Sequence, residues 1–320
     1  MFTSGGTEAD NLALRGRLGV EDGRDGLVTS AIEHHAVIDT AHDLAARGRA
    51  RLTVLGVDRH GLVDPETVRQ AIDEGTSLVS IMHANNEIGT IEPIETIGAI
   101  CRERGVTFHS DAVQSVGALP FDVREIPVDL VSINAHKFYG PKGVGALFIR
   151  RGTRVATVQT GGGQEKGRRT GTENVAGIVG LGAAMRIARE RRQSESVRQS
   201  ALRDRIIAGV LARIGGAILT GHPTRRLPNN ASFCIAGTDG ESLIIGLDLE
   251  GFAVSSGSAC TSGETEPSGV LLALGLEREL AKGSLRVTVG RSTTEAEIDA
   301  FLVALERVVD RARNAAAVAV

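Results

Sequence analysis

The chain has 320 residues, 42% of them apolar and 23% charged, an ordinary globular composition with length enough for two domains. Its 36 Lys and Arg against 39 Asp and Glu leave a net charge of −3, so no basic footprint points to nucleic acid. No run reaches the roughly 18 consecutive apolar residues of a membrane span, and the three cysteines, Cys101, Cys234 and Cys260, form no CxxC pair. That usage suits a reducing cytoplasm and argues against a disulfide framework or a zinc site.

Met1-Phe2-Thr3 reads as a very short strand feeding the turn Thr3-Ser4-Gly5-Gly6-Thr7-Glu8, and a helix follows over residues 9–15. β-Branched runs then predict strands over 26–29, 52–57, 78–83, 106–110, 130–133 and 146–149. Amphipathic helices are predicted between them over 35–47, 65–74 and 94–104. This alternation argues for a mostly parallel sheet with helices on both faces, whose ligands gather at the carboxyl ends of the strands. Residues 173–213 read as helix, with the charge run 189–192 on a solvated face. A smaller α+β portion follows: 231–235, a helix over 241–249, then 252–255, 267–274 and 284–289. A last helix opens with the capping-box pattern Thr294-Glu295-Ala296-Glu297. The boundary is placed near residue 190, giving a large domain over 1–190 and a small one over 191–320.

Polar motifs sit just past the strand positions. Lys137 ends a run from a buried-looking strand into a turn, Asn134-Ala135-His136-Lys137, and the glycine-rich segment 140–145 holds that turn rigid. Alone it is as consistent with a solvated surface lysine. Asp111, in Ser110-Asp111-Ala112-Val113-Gln114, is either a helix N-cap or a carboxylate that keeps a pyridinium nitrogen protonated. The Gly5-Gly6 turn into a helix start is either a tight loop or an anion site built from free N–H groups. Cys260 lies in Ser256-Gly257-Ser258-Ala259-Cys260-Thr261, a small-residue loop where a thiol is accessible as a nucleophile, whereas Cys101 and Cys234 fall in apolar elements and read as core. Arg286, inside an otherwise apolar strand, is either a surface stripe or a fork for a substrate carboxylate.

Together with Asn85-Asn86-Glu87-Ile88-Gly89, these motifs closely resemble the pyridoxal-phosphate (PLP) dependent cysteine desulfurases of the NifS/IscS-like class, in the class-V aminotransferase family. The resemblance runs from Phe2 to the final helix. It implies the PLP-dependent transferase fold type I, a large domain with a mostly parallel sheet flanked by helices and a smaller α+β C-terminal domain carrying the cysteine loop. It implies that Lys137 carries the Schiff base with PLP, that Asp111 pairs with the ring nitrogen, and that Gln114 and Asn86 flank the phenolic oxygen. His34 would stack on the ring and take part in proton transfer, with His35 a bystander. Gly6, Thr7 and His136 would hold the phosphate, Asn134 standing where the family usually has a serine. Thr172 would reach the phosphate of a partner subunit in a homodimer. Arg286 and Asn86 would bind substrate, L-cysteine, and Cys260 would take its sulfur as a persulfide.

The same resemblance implies delivery of that sulfur to an acceptor protein, an iron–sulfur scaffold or a tRNA-thiolation enzyme, with iron–sulfur cluster ligation by Cys260 during transfer. No resident metal, nucleic acid or membrane is expected. The family carries several dozen residues ahead of the glycine turn, so the chain is expected to lack an N-terminal segment. A selenocysteine lyase, another PLP enzyme of fold type I, and an inactive truncated PLP-binding remnant stay open as alternatives.

Overall fold

The computed structural model describes residues 1–257 and 266–318. In chain order the elements of the first part are β1 (Phe2–Thr3), α1 (Gly6–Leu18), β2 (Gly26–Ser30), α2 (His35–Ala46), β3 (Arg51–Leu55), α3 (Pro65–Ala71), β4 (Thr76–Ser80), α4 (Ile94–Glu103), β5 (Thr107–Asp111), β6 (Leu130–Asn134) and β7 (Gly145–Ile149). There follow α5 (Val175–Arg213), β8 (Ala217–Leu219), β9 (Asn230–Ile235), α6 (Gly240–Leu249), α7 (Gly269–Ala273), α8 (Arg278–Lys282), β10 (Ser284–Thr288) and α9 (Glu295–Val318). The residues divide into two compact units, 1–57 with 62–85 and 92–192, and 58–61 with 86–91 and 193–320.

Unit 1 is built on a seven-stranded sheet in the order β1-β7-β6-β5-β4-β2-β3. Strands β3, β2, β4, β5 and β6 run parallel, and β7 and β1 close the far edge antiparallel. β2 and β4 are buried along their whole length, as strands covered on both faces must be. Successive residues point to opposite sides. Leu27, Leu78 and Leu130 pack with Ala9, Leu12, Ala13 and Val37 of α1 and α2. Their neighbours Val28, Val79 and Val131 pack with Val68 of α3 and Ile94, Ile97 and Ile100 of α4. One sheet thus carries two cores, and its parallel strands all present their carboxyl ends along one edge.

Unit 2 holds the antiparallel sheet β10-β9-β8. Its core joins Phe233 and Ile235 of β9, Leu285 and Val287 of β10, Leu243 and Leu247 of α6, and Phe301, Leu302 and Leu305 of α9. Thr294 begins the last helix as its sequence pattern implies: Thr294 Oγ1 accepts from Glu297 N, and the Glu297 carboxylate accepts from Thr294 N.

Three local expectations are corrected. Residues 252–255 do not form a strand; they meet β10 only at a bridge between Ser255 and Arg286, because Phe252 N is spent on Leu247 O at the end of α6. β8 is an additional strand, three half-buried residues paired with β9. Asp111 is the last residue of β5 and not a helix N-cap, although its Oδ1 accepts from Val113 N at 2.8 Å and so closes a turn. No helix among the described residues is long and apolar enough to cross a membrane.

Candidate active site

The polar residues of unit 1 gather where its parallel strands end. Beyond β6 the chain makes one turn of 3-10 helix, Ala135–Phe138, which carries His136 and Lys137. Tyr139 ends it in the left-handed conformation, φ 66°, and Gly140 N returns to Ala135 O. A non-glycine residue held there needs its surroundings to impose it, so the backbone under Lys137 is fixed while its side chain stays exposed.

One strand over, β5 ends at Asp111, only 6% exposed. Burial pushes this carboxyl up to about 6, against the Val113 N–H and the Lys137 ammonium, which both favour its charged form. Lys137 also lowers His34 and His136, in each case after burial. The lysine charge therefore reaches Asp111, His34 and His136 together.

His34 is the N-cap of α2: its Nδ1 accepts from Ala36 N at 3.0 Å, which leaves the proton of the neutral ring on Nε2. Its half-buried position is reached straight from β2, whereas His35 turns outward to Asp39. Gln114, just beyond Asp111, is half-buried.

The glycine turn sits at the start of α1. The first intrahelical bond runs from Ala9 N to Gly5 O, so the N–H groups of Gly6, Thr7 and Glu8 have no helical partner. Glu8 steadies the turn, accepting from Ser4 N at 2.7 Å and pairing with Arg169 at 2.7 Å. Burial raises the Glu8 carboxyl, but the bonds from Arg169 and Ser4 outweigh it and hold it below its usual value. Asn134 of β6 turns its Nδ2 to this corner: a Cβ on Gly6 would lie 3.4 Å from it and 2.8 Å from Val113 Cγ2. Asn134 Oδ1 is buried without a hydrogen-bond partner. Thr7 is exposed, and so is Thr172, which borders a cavity of about 100 Å³ together with Ser4, Gly143 and Arg169.

Below these residues lies a buried layer absent from the sequence reading. Asp10 of α1, Glu33 before α2 and His109 of β5 are 1%, 4% and 0% exposed. Asp10 was legible in principle, since it shares the buried stripe of α1 with Gly6, Ala9, Ala13 and Leu14. His109 stands two residues before Asp111 on the same strand face. Asn85 belongs to unit 1, fully buried, its Nδ2 donating to Ile32 O at 2.7 Å, two residues before His34.

Asn86 and Arg286 both belong to unit 2. Arg286 Nη1 donates to Asn86 O at 2.8 Å and Nη2 to Ser255 Oγ at 3.1 Å, so the guanidinium is held from one side. Cys260 lies outside the described residues. Cys101 and Cys234 are buried, and burial pushes both thiols up to about 12.

Residues 1–301 match the aminotransferase class-V family. The cysteine desulfurase IscS of Dictyoglomus turgidum is 49% identical over 98% of this chain and 80% of its own length. That of Methanosarcina thermophila is 46% identical over 98% of this chain and 77% of its own length. Among solved structures, a NifS-like protein superposes with a TM-score of 0.90 at 36% identity, covering 97% of this chain and 82% of that one. SspA, solved in complex with cysteine, superposes at 0.75 with 32% identity, covering 90% of this chain and 80% of that one.

Proposed function

The chain belongs to the aminotransferase class-V family, and on that premise we propose that it is a PLP-dependent cysteine desulfurase that moves the sulfur of L-cysteine to Cys260 and releases L-alanine. The observation that carries this reading is the pairing, on one sheet edge, of a buried carboxyl at the end of β5 with a lysine held at the end of β6. The names of the relatives support the same chemistry.

The residues present fit the cofactor. Asn134 turns its amide nitrogen to the glycine corner, where a Cβ on Gly6 would lie only 2.8 Å from Val113 Cγ2, beside free N–H groups. That donor set suits a phosphate, held by Gly6, Thr7, Asn134 and His136. Asp111, buried and pushed up by its surroundings, gains a counter-charge if it faces a protonated ring nitrogen. His34 would lie against the ring face, with Gln114 and Asn86 toward the phenolic oxygen. When bound, PLP supplies an electron sink for the charge left at the substrate α-carbon.

Everything else falls to the chain. The Lys137 amine takes the α-proton and returns it, which its fixed backbone and exposed side chain allow. Asp111 keeps the proton on the ring nitrogen. Arg286, which donates from Nη1 to Asn86 O and from Nη2 to Ser255 Oγ, would hold the substrate carboxylate with its guanidinium. The Cys260 thiolate attacks the substrate Sγ; an S–S bond forms as the Cβ–Sγ bond breaks, and the electron pair of the broken bond stays on carbon and is protonated, giving alanine. The assignment of Cys260 rests on its place in the sequence. We extend the reading to a homodimer in which Thr172 reaches the partner's phosphate, and to an acceptor protein that receives the persulfide sulfur.

The test is the holo-protein with Cys260→Ala. Its cofactor absorbance should match that of the parent and still change when L-cysteine is added, while alanine and sulfide production stop. Alanine release at an undiminished rate would overturn the role given to Cys260, and turnover in Lys137→Ala would overturn the reading as a whole.

A further inference from the structure

Arg226 lies between β8 and β9, and the reading above gives it no role. It is 3% exposed and belongs to unit 2. All three of its guanidinium nitrogens are bonded, and each bond ends on an uncharged oxygen. Nε donates to Asn230 O at 3.1 Å, Nη1 to Thr220 O and His222 O at 3.3 Å each, and Nη2 to Ile88 O at 3.1 Å and Asn230 Oδ1 at 3.4 Å. Burial pushes the guanidinium down to about 10, Arg203 adding to the fall and Asp204 opposing it, so it stays charged at neutral pH. Burying a charge is costly unless it is well bonded, so a spacer role does not account for an arginine here.

The oxygens it gathers come from three segments. Thr220 and His222 follow β8, Asn230 begins β9, and Ile88 belongs to segment 86–91 of the same unit. Four successive carbonyls of that segment are taken by other residues of unit 2. Asn86 O accepts from Arg286 Nη1 at 2.8 Å, Glu87 O from Asn230 Nδ2 at 3.1 Å, Ile88 O from Arg226, and Gly89 O from Leu227 N at 2.8 Å. Thr90 then bridges Arg226 antiparallel, and Ile91 N donates to Arg225 O at 3.0 Å. Arg226 thus grips the segment two residues from Asn86, whose carbonyl in turn holds the Arg286 guanidinium.

We propose that Arg226 is a positioning residue for substrate binding: it fixes segment 86–91 to the start of β9, and so sets the Asn86 carbonyl that orients Arg286 for the substrate carboxylate. Small displacements of a group that positions substrate are costly even when they originate away from the chemistry. The proposal deepens the desulfurase reading and rests on it for the identity of the carboxylate, not for the grip on the segment.

The experiment uses the full-length holo-protein and three substitutions, Arg226→Lys, Asn230→Ala and Val308→Ala. The first readout, hydrogen exchange of the backbone amides over 86–91 followed by mass spectrometry, needs neither substrate nor turnover. The second is KM and kcat for L-cysteine beside L-cysteine methyl ester, and the third is the absorbance of the resting cofactor. Lysine keeps a charge at position 226 but not the planar fork that spans these carbonyls. Arg226→Lys should exchange several-fold faster over 86–91 and raise KM for L-cysteine about tenfold with kcat near the parental value. The ester, which has no free carboxylate, and the resting absorbance should stay as in the parent. Asn230→Ala removes the donor to Glu87 O and should give the same split, which decides the matter if Arg226→Lys does not fold. Val308→Ala, in the core of unit 2 away from the segment, loses stability alone and should keep the parental KM. Parental exchange or parental KM in the folded Arg226 and Asn230 variants, or equal losses on acid and ester, would overturn the proposal. A parent protein that does not turn over L-cysteine would sink the desulfurase reading instead, and the exchange rates would still decide the grip.

Discussion

Asp10 and His109 face each other beneath the carboxyl edge of the large sheet, Asp10 Oδ1 3.7 Å from His109 Nε2, both shut off from solvent. The contact is not an ion pair. Burial pushes Asp10 well above the ordinary carboxyl range, with Asp111 and Glu33 adding to the rise, and burial pushes His109 down to about 3. His109 is therefore neutral at neutral pH, bridging Ser80 Oγ at 2.8 Å and Ser132 Oγ at 3.0 Å, and burial favours the neutral form of Asp10 as well. An acid driven toward its neutral form behind Asp111 lessens the repulsion on the Asp111 carboxylate, whose charge interacts with Lys137.

It follows that Asp10→Asn, which replaces one neutral polar group by another, should unfold in urea close to the parent. Asp10→Leu removes the hydrogen bond to Ser132 and should cost about 1–3 kcal/mol. Equal losses in both variants would mean that the charged form of Asp10 is the one the fold uses.

Glu33 makes the stability of the cofactor-free chain depend on pH. Burial raises its carboxyl to about 8, against hydrogen bonds from Ser30 Oγ at 2.6 Å and Met82 N at 3.0 Å. The unfolded carboxyl releases its proton near 4.5 and the folded one near 8, so between those values folding takes up a proton. Stability should fall as the pH rises through that window, by at most about 1.4 kcal/mol per pH unit for one proton. Asp111 ceases to contribute above about 6, and Asn at position 10 removes Asp10 from the comparison. Between pH 6.5 and 8, in roughly the upper part of the window, Asp10→Asn should therefore lose stability with pH, and Asp10→Asn with Glu33→Gln should not. Parallel slopes would clear Glu33 of the effect.

The parallel layer was readable because its strands are short β-branched runs buried on both sides, and because the polar residues that follow them cannot belong to those runs. Lys137 and Asp111 were singled out on that basis, and His34 only through the family resemblance. The second layer was not: Asp10 could be placed by the buried stripe of α1, but Glu33 and His109 look in sequence like any polar residue of a turn or strand, and only packing reveals that solvent never reaches them. The division into units shows the same limit. A boundary near 190 is a single cut, whereas residues 58–61 and 86–91 join unit 2 through contacts such as Thr90 Oγ1 to His60 O at 2.6 Å and Leu227 N to Gly89 O at 2.8 Å. Such pairings between distant segments leave no local trace.

The glycine corner separates its two members. Gly5 has φ 165°, extended backbone that any residue adopts, and a Cβ there meets only Asn134 Nδ2 at 3.5 Å. On Gly6 the methyl would press to 2.8 Å from Val113 Cγ2, and a β-branched side chain has little freedom to yield. Titrating apo-protein with PLP by absorbance should give a dissociation constant about tenfold higher for Gly6→Ala, and one near the parental value for Gly5→Ala. Equal values for the two would show that the corner is not where the cofactor's phosphate sits.

Arg286 offers the sharpest division between holding the fold and holding the substrate. Its Nη1 donates to Asn86 O and its Nη2 to Ser255 Oγ, and the planar guanidinium is also the group whose shape matches a carboxylate. Lysine at this position keeps the charge and loses the fork. Arg286→Lys should therefore raise KM for L-cysteine by about tenfold or more, while the absorbance of the resting cofactor, which depends on Asp111 and Lys137, stays as in the parent. L-Cysteine methyl ester, which has no free carboxylate, should lose almost nothing on the same substitution. If the ester and the acid lose equally, Arg286 acts by supporting Ser255 and the backbone of Asn86, and the carboxylate must be held by another residue.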